Sequence, residues 1–179
     1  MRVLVTYGSK RGGTAGIAER IARTLVERGF QADARPSSEV ESVDAYDAVV
    51  VGGALYSSRW HRAARRFIKH HSEALRTRPV WLFSSGPLDD SAAGGDIPPV
   101  EQVQRLMERI GARGHITFGG RLLPDAKGFI ASKMARHRAG DWRDPRLIQA
   151  WAEGLADALR SVEAGARPGG APEVTAGLH

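Results

Sequence analysis

The residues best equipped for chemistry form the run T-Y-G-S-K-R-G-G-T, Thr6 to Thr14, which follows an almost wholly apolar segment. Two hydroxyls (Ser9, Thr14), two adjacent glycines (Gly12, Gly13) and two cations (Lys10, Arg11) at this spacing suit one task, the holding of an anion. Glycines let backbone N–H groups converge on a phosphate, hydroxyls donate to its oxygens, and a following helix adds the positive end of its dipole. The run is not the dinucleotide fingerprint, which needs G-x-G-x-x-G and a later acidic residue, nor the Walker loop, which needs G-K-S or G-K-T. Lacking a second phosphate-gripping feature, it suits a single terminal phosphate. The plain alternative is a turn with glycines and a hydroxyl cap.

Other groups offer less. His61 opens a helical stretch and is either a proton-transfer group or a local helix-start contact. His70 and His71 are adjacent and face different sides, and no cluster has metal-ligand spacing. No catalytic residue and no metal ligand is assigned. The run F-S-S-G-P lacks the G-x-S-x-G elbow of a serine nucleophile. With no cysteine, disulfides, thiolate ligands and a cysteine nucleophile are excluded.

The elements that must position the anion loop follow from periodicity. R-V-L-V-T-Y-G, Y-D-A-V-V-V-G-G and P-V-W-L-F-S-S-G are continuous apolar runs, as expected of strands buried on both faces. Q-A-D-A-R-P-S reads as a weak edge strand and G-H-I-T-F-G-G as the fifth strand. Between them lie helical periods. Ile17, Ile21 and Leu25 share a stripe that ends at Gly29; Ala64, Phe67, Ile68, His71 and Leu75 share another. P-P-V-E-Q-V-Q-R-L-M-E-R-I-G-A reads as a helix. The last helix has Asp144 as N-cap, Pro145 at its first position, and a stripe of Leu147, Ile148, Trp151, Leu155 and Leu159.

Alternating strands and helices imply right-handed crossovers and an α/β, doubly wound, five-stranded parallel sheet with helices on both faces. Ligands of such sheets bind beyond the carboxyl ends of the strands. That rule selects three loops: Gly8–Thr14, Gly53–Trp60 and Ser84–Asp90. At 179 residues the chain suits one domain, assigned to residues 1–163, with a Gly/Pro/Ala-rich, disordered tail expected over 164–179. No apolar run reaches the roughly 20 residues that span a bilayer, and the N-terminus enters a strand directly, so the expected location is cytoplasmic.

The first loop resembles the S/T-x-x-G-x-T phosphate loop of flavodoxins. The stretch G-G-A-L-Y-S-S-R-W-H-R-A-A-R-R-F-I-K-H-H is similar to that of the flavodoxin-type, menaquinone-dependent protoporphyrinogen oxidases. The resemblance covers roughly Met1 to Val162 and weakens after Gly86. It implies the flavodoxin-like strand order 2-1-3-4-5 with FMN at the β1/β3 switch point, an arrangement the periodicity does not supply. By the same resemblance Ser9, Lys10, Arg11, Gly12, Gly13 and Thr14 hold the phosphate. Ala54, Leu55, Tyr56 and Ser57 pass beside the ribityl chain and one ring edge. Ser84, Ser85, Gly86, Pro87 and Leu88 line the other. Tyr56 and Trp60, the only aromatics in these loops, are the stacking candidates, each with a local packing role as its alternative. The implied function is an oxidoreductase passing electrons from a reduced substrate, with protoporphyrinogen as the family's example, through FMN to a quinone or a redox partner protein. The alternatives are an electron carrier without substrate chemistry, or a non-enzymatic anion- or nucleic-acid-binding module on the same fold.

Charge separates these readings. The net charge is +6, and Arg59 to Arg78 holds seven Lys or Arg against the single acidic Glu73. The first two loops contain no carboxylate; Asp89, Asp90 and Asp96 lie in or just after the third. Positive surroundings favour reduced flavin, so a potential above that of a low-potential carrier is expected. A second basic stretch, Arg121 to Arg146, contains Phe129, Ile130 and Met134 among Lys127, Lys133, Arg136 and Arg138. It reads either as a core-packing helix or as a segment for peripheral contact with an anionic membrane. No groove-reading helix is recognisable, and no nucleic-acid partner is expected.

Overall fold

The computed structural model describes residues 1–10, 12–86, 97–122 and 140–166. In chain order these form β1 (Arg2–Gly8), α1 (Gly13–Glu27), β2 (Gln31–Pro36), β3 (Ala48–Tyr56), β4 (Arg59–Trp60), α2 (Arg62–His70) and α3 (Ser72–Arg76). Next come β5 (Val80–Ser85), α4 (Glu101–Ile110), β6 (Gly114–Phe118), the short strands β7 (Arg121–Leu122) and β8 (Gly140–Asp141), and α5 (Pro145–Ala166). Five strands pair in the order β2-β1-β3-β5-β6, which for the consecutive parallel strands is 2-1-3-4-5. The ladders are parallel, with Val5 opposite Val50, Val50 opposite Trp81 and Phe83 opposite Ile116.

The apolar runs become central strands because both sheet faces are covered. On one face α1 and α5 bury Ile17, Ile21, Leu25, Ile148, Leu155 and Leu159 against Val3, Val5, Val50 and Phe83. On the other α2 and α4 bury Ala64, Phe67, Ile68, Val103, Leu106 and Ile110 against Leu4, Val49, Val51 and Leu82. Each fully buried aliphatic contributes about 1.5–3 kcal/mol of transfer free energy, so cutting Ile21 to Ala costs about 2–5 kcal/mol. β2, half-exposed and ending in Pro36, closes one edge.

The ends of the helices follow the sequence. The N–H groups of Gly29 and Phe30 donate to the carbonyls of Val26 and Leu25 (both 3.0 Å), a Schellman closure of α1. Asp144 Oδ1 accepts from the N–H of Arg146 (2.8 Å), capping α5 as expected. That helix runs through Ala166, so residues 164–166 belong to it and not to the tail; residues 167–179 lie outside the described part.

Two segments differ from expectation. The stretch read as one helix from His61 is two, α2 and α3, with His71 at the junction and half-buried, its ring 4.7 Å from that of Phe67. The Gly53–Trp60 stretch, expected as a loop, is a hairpin. β3 continues past the sheet to Tyr56, turns on Ser57 and Ser58, and returns antiparallel as β4, pairing Leu55 with Trp60 and Tyr56 with Arg59. Both serines are left-handed (φ 48° and 59°), the geometry of a type I′ turn, which Asn and Gly usually supply. Serine carries no such signal, so the turn is hidden in the sequence.

The glycine pair in β3 is a packing device. A Cβ on Gly52 would lie 2.0 Å from Cζ of Phe83, and one on Gly53 would lie 2.5 Å from the indole of Trp60. Two aromatic side chains, one from each core cluster, fill the space that side chains at these positions would take.

Candidate functional site

The site begins where β1 ends. Gly8 abuts the start of α2, where a Cβ would lie 2.7 Å from the backbone N of Ala64. The next residues turn into α1 with Gly12 as N-cap at φ 74°, a left-handed conformation that strains residues other than glycine. No side chain caps this helix, and its first turn carries no acidic residue. The first intrahelical bond is Gly16 N–H to Gly12 C=O (3.2 Å), which leaves the N–H groups of Gly13, Thr14 and Ala15 without helical acceptors.

Thr14 sharpens the point. It is 1% exposed, and its Oγ1 has no hydrogen-bond partner among the described residues. A buried hydroxyl left unpaired costs about 1–3 kcal/mol, so its place beside an uncapped helix start needs an acceptor from outside the chain. A phosphate dianion supplies one. Ser9 and Lys10 stand on the same loop, and Arg11 lies outside the described residues.

The β3–β4 hairpin forms the neighbouring wall. The N–H of Lys10 donates to the hydroxyl of Tyr56 (3.5 Å), joining loop and hairpin, and the Tyr56 ring meets His61 edge-on at 6.2 Å. His61 Nδ1 accepts from the N–H of Ala63 (3.3 Å), so this histidine is the N-cap of α2, the local contact that was one of its two readings. Burial, then Lys10 and Arg65, lower its pKa and keep it neutral at physiological pH. Ser57 is exposed at the turn, while Leu55 and Gly86 are half-exposed, with Leu55 against Gly86.

Several expected wall residues are placed otherwise. Trp60 is 1% exposed, and its Nε1–H donates to Ser84 Oγ (2.8 Å), which is also hydrogen-bonded to His115 Nε2 (2.8 Å). Trp60 is therefore a core side chain and not a stacking platform, and the Ser84 hydroxyl is committed inside the fold. The physical reason is β4, which turns the tryptophan inward over Gly53. Ala54 and Ser85 are buried and pair across β3 and β5. Pro87 and Leu88, with Asp89, Asp90 and Asp96, lie outside the described residues, as does the 123–139 part of the second basic stretch.

One contact had no sequence signal. Arg143, following β8, is clamped by the Asp141 carboxylate (Nε to Oδ1, 2.7 Å) and donates through Nη1 to the carbonyl of Gly13 (3.3 Å). A Cβ on Gly16 would lie 2.5 Å from Arg143 Nη1, so any larger residue there would displace that guanidinium from the first turn of α1. A cation thus sits against the first turn of α1, 130 residues away in the chain.

Among the described residues no helix is long and apolar enough to cross a membrane. The flavodoxin domain family matches residues 4–137. Protoporphyrinogen IX dehydrogenase [quinone] of Escherichia coli K12 is 31% identical over 86 residues, 47% of this chain; the matched stretch spans about half of that protein (48%). Among solved structures, a flavodoxin from the domain Archaea aligns with 89% of this chain and 99% of its own, at 16% identity and TM-score 0.59. Rubredoxin:oxygen oxidoreductase of Desulfovibrio gigas aligns with 91% of this chain but only 37% of its own length, at 12% identity and TM-score 0.62. A family match that starts in β1 and ends beyond β7 takes in the β1–α1 loop, the hairpin and the sheet that carries them: this chain belongs to the flavodoxin domain family, whose cofactor is FMN.

Proposed function

We propose that this protein is an FMN-dependent oxidoreductase that takes electrons from a reduced organic substrate and passes them to a quinone. The observation that carries the flavin part is the orphaned, buried hydroxyl of Thr14 beside the uncapped start of α1. Ser9, Lys10, Gly12, Gly13 and Thr14 hold the phosphate through hydroxyls, backbone N–H groups and one ammonium. Arg143 steadies the turn from behind. Leu55, Tyr56, Ser57 and Gly86 supply the accessible wall. When bound, FMN supplies one- and two-electron transfer between partners that do not react directly.

The quinone and the substrate class are supported by the relative from Escherichia coli, a protoporphyrinogen dehydrogenase that uses a quinone, over the half of it that this chain matches. Electrostatics agree. Lys10, Arg59, Arg62, Arg65 and Arg66 line the cleft beside the phosphate loop, with no carboxylate among the described residues that line it. Positive charge there stabilises the anionic reduced cofactor and raises its potential, with about 30 mV for each 1.4 kcal/mol in a two-electron couple. A carrier flavodoxin is the second reading, favoured by the near-full-length alignment of a solved flavodoxin.

Flavin fluorescence decides the first part: FMN is quenched at micromolar concentration and riboflavin far less. Redox titration decides the second. A potential well above that of low-potential carriers, with quinone reduction, supports the oxidoreductase; a low potential without quinone turnover leaves the carrier.

A further inference from the structure

Arg143 stands where a helix disfavours a cation. The N-terminal end of an α-helix carries partial positive charge, so anions are favoured there and cations at the other end. Yet Nη1 of Arg143 donates to the carbonyl of Gly13, in the first turn of α1 (3.3 Å). Fastening the helix alone does not explain a positive group at that end; an anion bound at the same end does.

Asp141 makes the placement tolerable. Its Oδ1 accepts from Nε (2.7 Å) and from the backbone N–H of Arg143 (3.2 Å), while Oδ2 accepts from Nη2. This side-on fork fixes the plane of the guanidinium and leaves Nη1 for α1. The pair is held in turn by the β7–β8 ribbon. Asp141 lies opposite Arg121, and the N–H of Trp142 donates to the carbonyl of Gly120 (3.0 Å). The Gly13 carbonyl and the Thr14 N–H are the two ends of one planar peptide and point in opposite directions. Holding the oxygen therefore aims the N–H, one of those at the start of α1 without a helical acceptor. Gly16 completes the arrangement. Glycine weakens a helix interior relative to alanine, and a Cβ here would lie 2.5 Å from Nη1.

We propose that Asp141 and Arg143 are positioning residues for a phosphate at the start of α1: they hold the Gly13–Thr14 peptide so that its N–H faces the anion, and Gly16 is the gap that admits the guanidinium. By reciprocity, the anion tightens the hold of α1 on the ribbon. That the phosphate belongs to FMN rests on the flavin reading above.

Flavin-quenching titrations with FMN and riboflavin, beside thermal melts of the cofactor-free protein, test the proposal. Asp141→Asn is the decisive change, because two accounts of it differ in sign. Charge alone makes FMN bind more tightly when a carboxylate near an anion site is removed. Loss of the clamp makes FMN bind about three- to tenfold more weakly, with riboflavin within about twofold, and this is the expected result. Gly16→Ala should weaken FMN by a similar factor in the parent but less than about twofold in Arg143→Gln, where no guanidinium is left to displace. Gly154→Ala in α5, whose Cβ would meet nothing within 4 Å, is the control. It should raise the melting temperature by about 2–4 °C and leave FMN within about twofold. Tighter FMN binding by Asp141→Asn, equal losses for FMN and riboflavin, or full additivity of Gly16→Ala with Arg143→Gln overturns the proposal. So does a change confined to the melts, which would make the pair a structural fastening. A parent protein that quenches no FMN removes the flavin reading and the proposal with it; a parent that binds FMN while the variants fail these tests removes the proposal alone.

Discussion

Replacing Thr14 by Val separates a phosphate ligand from an ordinary core residue, because the two roles give effects of opposite sign. Valine keeps the β-branch and nearly the volume of threonine and removes only the hydroxyl. In the cofactor-free protein that hydroxyl is buried and unpartnered. Removing it relieves a penalty of about 1–3 kcal/mol, and at about 2–4 °C per kcal/mol for a domain of this size the melting temperature rises by about 2–12 °C. As the proposed phosphate ligand the same hydroxyl donates to a charged oxygen in the FMN complex, a bond worth about 1.5–3 kcal/mol, so the Kd for FMN is expected to rise about 10- to 150-fold. Riboflavin, without the phosphate, binds both proteins alike. Differential scanning fluorimetry of the two proteins and flavin-quenching titrations measure all three quantities. A variant that melts lower without cofactor and binds FMN as tightly as the parent would refute the reasoning, since the hydroxyl would then have an internal partner and no phosphate to serve.

Further outcomes follow from the residues around that loop. Trp60→Phe deletes the bond to Ser84 and part of a buried ring; it should lower stability by about 1–3 kcal/mol in thermal melts while leaving the FMN Kd within about twofold, as expected of a core residue. Arg143→Gln should weaken FMN about three- to tenfold through loss of support at Gly13, with riboflavin affected less, by the same quenching assay. Burial pushes the His115 pKa down to about 4 from 6.5. The unfolded chain then binds more protons than the folded one between those values. Stability is therefore flat above pH 6.5 and falls as pH drops toward 4, by up to about 3 kcal/mol, with burial at His61 and His71 acting in the same direction. Denaturant melts across that range should show a shallower fall for His115→Gln; an unchanged slope would place the proton uptake elsewhere.

How much of this was legible from residue order depends on the distance over which each interaction acts. Strands β1, β3 and β5 are long apolar runs whose two-sided burial shows directly in composition, and the caps at Asp144 and Gly29 are local chemistry. The glycine turn into α1 was legible for the same reason, since its hydroxyls and glycines lie within six residues. The hairpin was not, because two serines stand in left-handed positions that sequence statistics assign to Asn or Gly. That omission misplaced Trp60: without the reversal at Ser57 and Ser58, an aromatic shortly after a glycine pair looks exposed, whereas the return strand turns it into the core. Arg143 lies 130 residues from the glycine it supports, and no spacing rule connects them.

The paired glycines of β3 have a consequence for how sequences of this kind diverge. Gly52 is held small by Phe83 and Gly53 by Trp60, across opposite faces of one strand. Each glycine is thus one half of a size-matched pair, and its freedom to vary is conditional on its aromatic partner. In related chains the two pairs should drift independently, a side chain appearing at position 52 only where position 83 has shrunk, and at position 53 only where position 60 has. A double glycine at this point is then a record of the aromatics behind it, and its presence alone says nothing about whether a flavin is bound.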